Sequence, residues 1–310
     1  MSRAFTIEVE GVNQNKIYSV AREVLRGGGV TRYELADATG MSGVTVGKIV
    51  SEMLRHSLFV TEEQFSSHRR APEKIFPSER INILVFRFTK HQLSAILCDP
   101  CKRVLFSSAR PLNESLPFEF DISAFADSVM QSIAAEINHR IVGVAVIAER
   151  EQIKLIQYAQ SEIFSEADIF STDDCIADYV RREYPSGCVA HISLDHTMSV
   201  NIFSEGKPVN SGAEHSIPLD AVGEESAIRF AAEYLSPLFR ILSPSRLLID
   251  SDILGVTPEF ARELYSKIKR AGQIKDEKMP DITVCDELSF DTLSAIGQMC
   301  DKLAGIFAGI

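Results

Sequence analysis

Residues 31–60, TRYELADATGMSGVTVGKIVSEMLRHSLFV, decide the fold of the first part of this 310-residue chain. Thr31 is followed three positions later by Glu34, the capping-box pattern that begins a helix. Gly40 ends that helix, and Ser42 is placed to cap the next one. The inner face of this second helix is apolar at Val46, Ile49, Val50 and Met53. Two helices joined by a tight turn are therefore predicted here.

The flanking sequence extends this pattern on both sides. Residues 15–26, NKIYSVAREVLR, place apolar side chains at helical spacing, and three glycines at 27–29 end that helix. Residues 58–64 (LFVTEEQ) predict a strand, residues 66–72 (SSHRRAP) a basic loop, and residues 74–86 (KIFPSERINILVF) a return to extended structure. Three helices followed by a strand, a loop and a strand indicate a winged helix-turn-helix.

Such a module predicts contacts with double-stranded DNA, made by the third helix and the basic loop. Glycines in the third helix allow its backbone to approach a groove closely, so few side chains would read bases. The candidate DNA contacts are Thr31, Ser42, Gly43, Val44, Thr45, Gly47, Lys48, Arg69 and Arg70. The alternative is a three-helix module that serves only protein contacts, for which the basic pair Arg69–Arg70 has no particular use.

Charge divides the chain into two parts. The whole chain has a formal net charge of −11. Residues 1–80 contain 11 Lys/Arg and 10 Asp/Glu, a net of +1, whereas residues 81–310 carry a net of −12. We therefore predict a DNA-binding domain over 1–80 and a second domain over 81–310. Neither a membrane span nor a signal peptide is visible, so a cytoplasmic protein without membrane contacts is expected.

Residues beyond 80 alternate predicted strands and helices. Three successive strands, INILVFRF, LSAILCD and KRVLFSSAR, are followed by a helix and by the buried strand IVGVAVIA. A second group runs from CVAHISL through a hairpin turn at Glu205–Gly206 to RLLID and DITVCD, with long helices between. A three-stranded antiparallel start that leads into strand–helix alternation predicts a mixed α/β architecture.

The chain resembles the repressors of the ROK family (repressors, open reading frames and sugar kinases). The resemblance is carried by residues 31–60 and 68–76, by SEGKPVNSGAEHSIPLD at 204–220 and by LSPSRLLIDSDIL at 242–254. It implies a multidomain α/β fold: an N-terminal winged helix-turn-helix, then a two-lobed, actin-like or ribonuclease H-like domain of the sugar-kinase type. The final helix, 292–309, is expected to return to the first lobe. Regulators of this kind are expected to be homodimers.

Departures from the family pattern argue against phosphoryl transfer. A ROK kinase holds ATP phosphates with an Asp-x-Gly loop, but FRFTKHQ at 86–92 has Arg87 and Thr89 at those positions. The second glycine-rich loop falls on HTMSVNI at 196–202, with Thr197, Ser199 and Asn201 in the glycine positions. Asp250 and Ser251 replace the late glycine pair. Side chains at these places block close approach to phosphates, so no enzyme activity and no cofactor are expected.

The family's metal and sugar sites are also altered. The zinc site uses a cysteine cluster, and LDAVGEESAIRF at 219–230 has no cysteine, so no metal is expected. Cys98 and Cys101 form a lone pair, interpreted as structural.

The sugar contacts of the family fall on Asp173, Glu214 and His215. Asp173 is equally the N-cap of its helix, and either His215 or Ser216 occupies the family's histidine position. A small-molecule sugar effector at these residues therefore stays an open prediction.

Together these observations predict a sequence-specific transcriptional regulator, a repressor by family analogy and one that acts on carbohydrate genes, with a catalytically inactive ROK-like domain. The alternative is a sugar-binding protein or sugar kinase that retains an accessory winged helix. The operator, the regulated genes and the effector do not follow from the sequence.

Overall fold

Capping residues and glycines set the helices of the N-terminal module, the name used here for residues 6–80. The computed structural model describes residues 6–62, 65–66, 69–70, 72–136, 140–195, 198–209, 213–215, 224–251, 256–274, 279–285 and 288–310. The module begins with helix α1 (Gln14–Gly27), capped by the side chain of Asn13, which accepts a hydrogen bond from the Lys16 N–H at 3.0 Å. The remaining elements of its helical part are strand β1 (Val30–Thr31) and helices α2 (Arg32–Thr39) and α3 (Gly43–Arg55). The helices lie where the capping residues predict them.

Glycines after α1 allow the chain to turn into β1. Gly28 adopts the left-handed conformation, with φ of 62°. Gly29 has φ of 109°, and a Cβ at this position would lie 2.3 Å from the ring of Phe76. Only glycine fits that backbone and that contact, so Gly29 is required for the packing of the turn against the sheet.

Short antiparallel strands complete the module. They are β2 (Phe59–Glu62), β3 (Phe65–Ser66), β4 (Arg69–Arg70) and β5 (Lys74–Pro77). The order β1–β5–β2 forms one sheet, and β3 pairs with β4 in a two-stranded extension. The apolar faces of all three helices are buried, and Ile75 of β5 is buried with them. The result is a three-helix layer that packs on a small sheet.

The first lobe continues from the module with a five-stranded mixed sheet. Its elements are β6 (Asn82–Phe88), β7 (Gln92–Cys98), β8 (Val104–Pro111), α4 (Phe118–Glu136), β9 (Ile141–Ala148), α5 (Arg150–Ile156), a 3₁₀ turn (Glu162–Ser165) and β10 (Asp168–Ser171). The strand order is β10–β9–β6–β7–β8, with β6 antiparallel to β7 and parallel to β9. Strand β6 is buried at all seven positions, as expected for a central strand covered on both faces.

The second lobe repeats this arrangement. Its elements are α6 (Thr172–Glu183), β11 (Cys188–Leu194), β12 (Met198–Ser204), β13 (Lys207–Pro208), β14 (Ala213–His215), α7 (Glu224–Leu242), β15 (Arg246–Asp250), α8 (Pro258–Ala271) and β16 (Asp281–Val284), followed by α9 (Phe290–Ala308). The order β13–β12–β11–β15–β16 again has an antiparallel hairpin beside two parallel strands, and β14 pairs with β12. The mixed α/β architecture predicted beyond residue 80 is therefore present in both lobes.

Contacts divide the chain into two compact units, Met1–Phe170 with Ala295–Ile310, and Ser171–Ser294. The N-terminal module, the first lobe and the end of α9 belong to the same unit. Within that unit Asp301 on α9 accepts a hydrogen bond from Arg22 Nε of α1 at 3.1 Å and pairs with Arg26. The Ile7 N–H also donates to the Phe307 carbonyl at 2.8 Å. In the described part of the chain, no helix combines the length and the apolar composition that crossing a membrane requires.

Candidate nucleic-acid interface

The turn between α2 and α3 is held by local hydrogen bonds. Gly40 has φ of 66°, and its N–H donates to the Asp37 carbonyl at 3.3 Å. The Met41 N–H donates to the Ala36 carbonyl at 3.1 Å. These bonds satisfy the last carbonyls of α2 and fix the direction in which α3 leaves the turn.

Thr31 is engaged in the capping box that begins α2. Its hydroxyl accepts from the Glu34 N–H at 3.2 Å and donates to Glu34 Oε2 at 2.9 Å, and its side chain is 8% exposed. The Thr31 N–H also donates to Glu34 Oε2, at 2.8 Å. These hydrogen bonds lower the pKa of the Glu34 carboxyl, with the backbone bond as the largest cause. The geometry gives Thr31 a capping role and leaves its hydroxyl little access to a ligand.

Over the first two turns of α3, the outer face is formed by small and apolar residues with one cation, Lys48. Val44 is 73% exposed, and Gly43 and Lys48 are exposed beside it. A Cβ built on Gly43 or on Gly47 would meet no atom within 4 Å, so neither glycine is required by the packing of the module. The opposite face of the helix is fully buried. Helix α3 therefore presents a bare strip of backbone toward solvent.

Hydroxyl groups lie at the N-terminus of α3. Ser42 Oγ accepts from the Thr45 N–H at 3.3 Å and lies 3.0 Å from Thr45 Oγ1. Ser42 is exposed and Thr45 is half-buried. No Asp or Glu occurs between Ser42 and Ser51. The helix N-terminus thus combines its partial positive charge with two hydroxyls and no carboxylate, which suits a phosphate oxygen.

Tyr33 is a surface residue that the sequence analysis missed. It lies in the first turn of α2 and is 80% exposed, more than any other large apolar or aromatic side chain among the described residues. A tyrosine outside the apolar stripe of a short helix was the signal that could have found it. Its hydroxyl and ring are accessible to a ligand next to the N-terminus of α2.

Arg69 and Arg70 form strand β4, which pairs with β3 in the register Phe65 with Arg70 and Ser66 with Arg69. The side chains of these four residues lie outside the described part of the structure. Nearby, Arg32 of α2 forms an ion pair with Glu73, which precedes β5. The start of α2 is therefore tied to the strand that returns from the basic loop.

In the first lobe, the β6–β7 turn contains the residues that the family resemblance aligns with a first phosphate loop. Thr89 Oγ1 accepts from the Gln92 N–H at 3.0 Å and from the His91 N–H at 3.4 Å. The Thr89 carbonyl accepts from Gln152 Nε2 at 3.0 Å. Arg87, which the family resemblance aligns with the Asp of that loop, is 9% exposed at the end of β6. The His91 and Gln92 N–H groups, which could otherwise bind a phosphate, are bonded within the turn.

In the second lobe, three buried polar side chains lie close together, one on each of three adjacent strands. His191 Nε2 lies 3.3 Å from Asp250 Oδ1, and Asn201 Nδ2 lies 3.5 Å from His191 Nδ1. All three side chains are at least nine-tenths buried. The ring of Phe290 packs edge-on against His191 with 5.8 Å between centroids. This environment identifies His191 as a structural histidine.

Most of the segment that the family resemblance aligns with a second glycine-rich loop lies in strand β12. Ser199 and Asn201 do not lie in a loop, because they pair with Ser193 and His191 of β11. His196 and Thr197 lie outside the described residues. Asp250 and Ser251, at the late glycine positions, carry side chains that bond inward: Ser251 Oγ donates to the Leu194 carbonyl.

The predicted capping role of Asp173 is wrong. The N-cap of α6 is Ser171, whose hydroxyl accepts from the Asp174 N–H at 3.1 Å. Asp173 is exposed in the first helical turn instead. Glu214 and His215 lie in β14, opposite Ser199 and Met198 of β12, and their side chains are outside the described residues.

The cysteine pair in the first lobe has the properties of buried thiols. Cys98 is fully buried at the end of β7, and burial raises its pKa to about 12. Burial also raises the pKa of Cys101, which lies in the turn before β8. No group of three or more His, Cys, Asp or Glu side chains able to hold a metal occurs among the described residues.

Solved structures include a protein with the same architecture over nearly its whole length. It is a ROK family transcriptional regulator, a homologue of the E. coli MLC protein, with a TM-score of 0.58 and 13% identity over 95% of this chain and 98% of that one. The two proteins share a fold. The likeness supports the sugar-kinase-like architecture predicted for residues 81–310. The sequence matches no family model and no curated protein.

Kinases are also similar. The inorganic polyphosphate/ATP-glucomannokinase from Arthrobacter sp. strain KM has a TM-score of 0.47 and 13% identity over 73% of this chain and 98% of its own. The ROK hexokinase from Thermus thermophilus has a TM-score of 0.44 and 10% identity over 70% of this chain and 97% of its own.

Proposed function

We propose that this protein is a sequence-specific DNA-binding transcriptional regulator of the ROK family, with a winged helix-turn-helix and a catalytically inactive sugar-kinase-like domain. The observation that carries the proposal is the outer face of α3. This face exposes Val44 and Lys48 beside two glycines, Gly43 and Gly47, that the packing does not need. A helix with one buried face, and with no carboxylate on the opposite face of its first two turns, is suited to entry into a major groove.

The candidate contacts fall into two groups. Gly43, Val44, Gly47 and Lys48 face the base edges, whereas Ser42 and Thr45 face a phosphate at the helix N-terminus. Arg69 and Arg70, which form strand β4, are the candidate contacts to the DNA backbone or the minor groove. Tyr33 joins the backbone-contacting group, and Thr31 acts through the cap of α2.

The shared fold with a ROK transcriptional regulator supports this reading, because the similarity extends over 95% of this chain and therefore includes the N-terminal module. The turn at Thr89 supports the loss of phosphoryl transfer, since its hydroxyl takes two N–H groups of the loop. By analogy with that family we propose repression of genes of carbohydrate metabolism.

Regulation would require two states. In a homodimer, two copies of α3 would enter successive major grooves of one operator, and an effector bound in the second domain would change their spacing. A sugar held near Asp173, Glu214 and His215 is the effector that the family resemblance favours.

The test is binding of the full chain to labelled DNA from upstream of its own gene, at two salt concentrations and against unrelated competitor DNA. A specific regulator will bind tightly, lose affinity as salt rises, and keep its complex in competitor. A chain that binds no DNA at low salt contradicts the proposal and leaves the protein-contact alternative.

A further inference from the structure

A pocket of 290 Å³ lies inside the first unit, away from both the outer face of α3 and the Thr89 turn. Five parts of the chain form its walls: the residues after α3, the residues just before β6, the start of β9 with the residue before it, Glu166 ahead of β10, and the last turns of α9. The volume is at the lower end of the roughly 300–1,000 Å³ that small-molecule sites occupy. A single ring or a short chain would fill it.

The deep walls of this junction pocket are apolar. Leu58, Ile81, Leu303 and Phe307 line it, and each is at most 5% exposed. Ile306 lines it from the more exposed side of α9. Such a surface takes the hydrocarbon part of a ligand, because the removal of apolar surface from water is favourable.

The mouth of the junction pocket carries more positive than negative charge. Arg80 and Arg140 are both exposed lining residues, and Glu166 is the one carboxylate in the lining. Ser57 adds a hydroxyl donor. His56 is half-exposed and bonded to Glu52, with 3.2 Å between Nε2 and Oε1. Two guanidinium groups beside a hydroxyl favour an oxyanion, and arginine is the side chain best suited to a planar carboxylate.

We propose that the junction pocket binds a small monocarboxylate with an apolar body. The two arginines hold the carboxylate at the mouth, and the walls formed by β6 and α9 bury the ring or chain. This site is distinct from the sugar contacts considered above, and it uses none of their residues.

The pocket wall continues directly from α3. The Leu58 N–H donates to the carbonyl of Met53, a buried residue of α3, at 3.0 Å. The Leu58 carbonyl accepts from the Ser78 N–H at 2.9 Å. Ser57, which precedes Leu58, has φ of 56°, a conformation that is unfavourable for a non-glycine residue. A ligand that packs on Leu58 therefore affects the position of the end of α3. The inference that this changes DNA affinity rests on the proposed function.

Isothermal titration of the full chain with benzoate and with hexanoate tests the site without DNA. At least one carboxylate should bind below about 1 mM, and the matched alcohols, benzyl alcohol and hexanol, should bind about tenfold more weakly. Arg80→Gln combined with Arg140→Gln should weaken carboxylate binding at least tenfold. Arg262→Gln, on α8 of the other unit, is the matched control and should change nothing.

Filling the pocket is the second test. Ile306→Trp should abolish binding while the circular dichroism spectrum stays that of wild type; if this variant does not fold, the double arginine variant decides. The site is refuted if neither carboxylate binds at about 10 mM, or if binding survives loss of both arginines. DNA affinity measured with and without the bound carboxylate should differ at least threefold. An unchanged affinity refutes the coupling alone, whereas a chain without DNA binding refutes the proposed function and leaves the titration result intact.

Discussion

Thr89 closes the β6–β7 turn on itself, because its hydroxyl accepts the Gln92 N–H at 3.0 Å. The His91 N–H donates to the same oxygen at 3.4 Å. A phosphate-binding loop offers such N–H groups to its ligand, so a phosphate would have to replace two local bonds and also approach past a side chain. The turn therefore connects two antiparallel strands and leaves these two N–H groups no free geometry for a phosphate.

We expect no binding of magnesium-ATP and no phosphoryl transfer to hexoses. Titration calorimetry with magnesium-ATP and an assay of ADP release in the presence of glucose, mannose and N-acetylmannosamine check this. Thr89→Gly frees the two N–H groups but leaves Arg87 and Asp250, so it should remain inactive. Turnover by the wild-type chain would support the sugar-kinase alternative.

Gly47→Ala should separate folding from DNA binding. A Cβ at Gly47 meets nothing within 4 Å, and alanine is a better helix former, so the free energy of unfolding should rise by up to about 1 kcal/mol. The same methyl group lies where the backbone of α3 would approach a groove, so affinity for specific DNA should fall roughly tenfold. Urea unfolding and fluorescence anisotropy measure the two effects.

Ser51→Ala, one turn further along the exposed side of α3, is the control for Gly47→Ala and should leave DNA affinity near that of wild type. If Gly47→Ala stabilises the chain but leaves DNA affinity unchanged, this face of α3 does not contact DNA.

Lys48→Ala should act on specificity more than on general affinity. Lys48 is exposed on α3 and forms no ion pair with any residue in the described part of the chain. Loss of a base contact costs about 1–3 kcal/mol at the specific site and much less on unrelated DNA. Competition titrations with both DNAs measure the ratio. Lys154→Ala, on α5, is the matched control; equal losses on both DNAs would assign Lys48 to the phosphate backbone instead.

Local signals predicted the N-terminal module well. Each of its signals is local: the box formed by Thr31 and Glu34, the cap at Ser42, and the turn at Gly40. Since each one depends only on residues within four positions, it can be recognised in a single sequence. Strand β6 was also predicted, because its central residues, Ile83 to Phe86, form a continuous apolar run.

Elements that depend on distant partners were missed. Strand β10 has four residues and no alternating pattern, and β1 has two residues that become a strand only through their pairing with β5. Helix α5 begins with a box formed by Glu149 and Gln152, which could have been recognised.

For Asp173 the N-cap of α6 was one of two alternatives, because Ser and Asp are equally good N-caps. Strand β10 ends at Ser171, and Ser171 is the cap.

The ion pairs of Asp301 could not be predicted from the sequence. It meets Arg22 and Arg26 across more than 270 positions, so only the fold reveals the attachment of the module to α9. The junction pocket could not be predicted from the sequence for the same reason, because its walls come from five separate segments.

His191→Ala should destabilise the second lobe strongly. The imidazole lies within 3.3 Å of Asp250 and 3.5 Å of Asn201, and its removal leaves both without that partner and opens a cavity. We expect a loss of roughly 3 kcal/mol in the free energy of unfolding. His91→Ala, at an exposed turn position, is the control. A double-mutant cycle with Asp250→Asn should give a coupling of about 1 kcal/mol or more; additive effects would mean that the pair does not interact.

Glu34 should make the stability of the N-terminal module depend on pH. The Thr31 N–H and hydroxyl lower the pKa of the Glu34 carboxyl below its ordinary value of 4.5. Because the folded pKa is the lower one, the stabilisation is fully present above 4.5 and is lost as the pH falls through the folded pKa. Glu34→Gln keeps an acceptor without a titrating group, so its deficit in melting temperature should be larger at about pH 7 than at about pH 3.

Thermal unfolding followed by circular dichroism at several pH values measures this deficit. Glu79→Gln, an exposed site outside the helices, should show no trend. A deficit for Glu34→Gln that stays constant from neutral to acid pH would mean that the ionised carboxylate does not stabilise the cap, and that Thr31 positions α2 through its own hydroxyl bond to the Glu34 N–H alone.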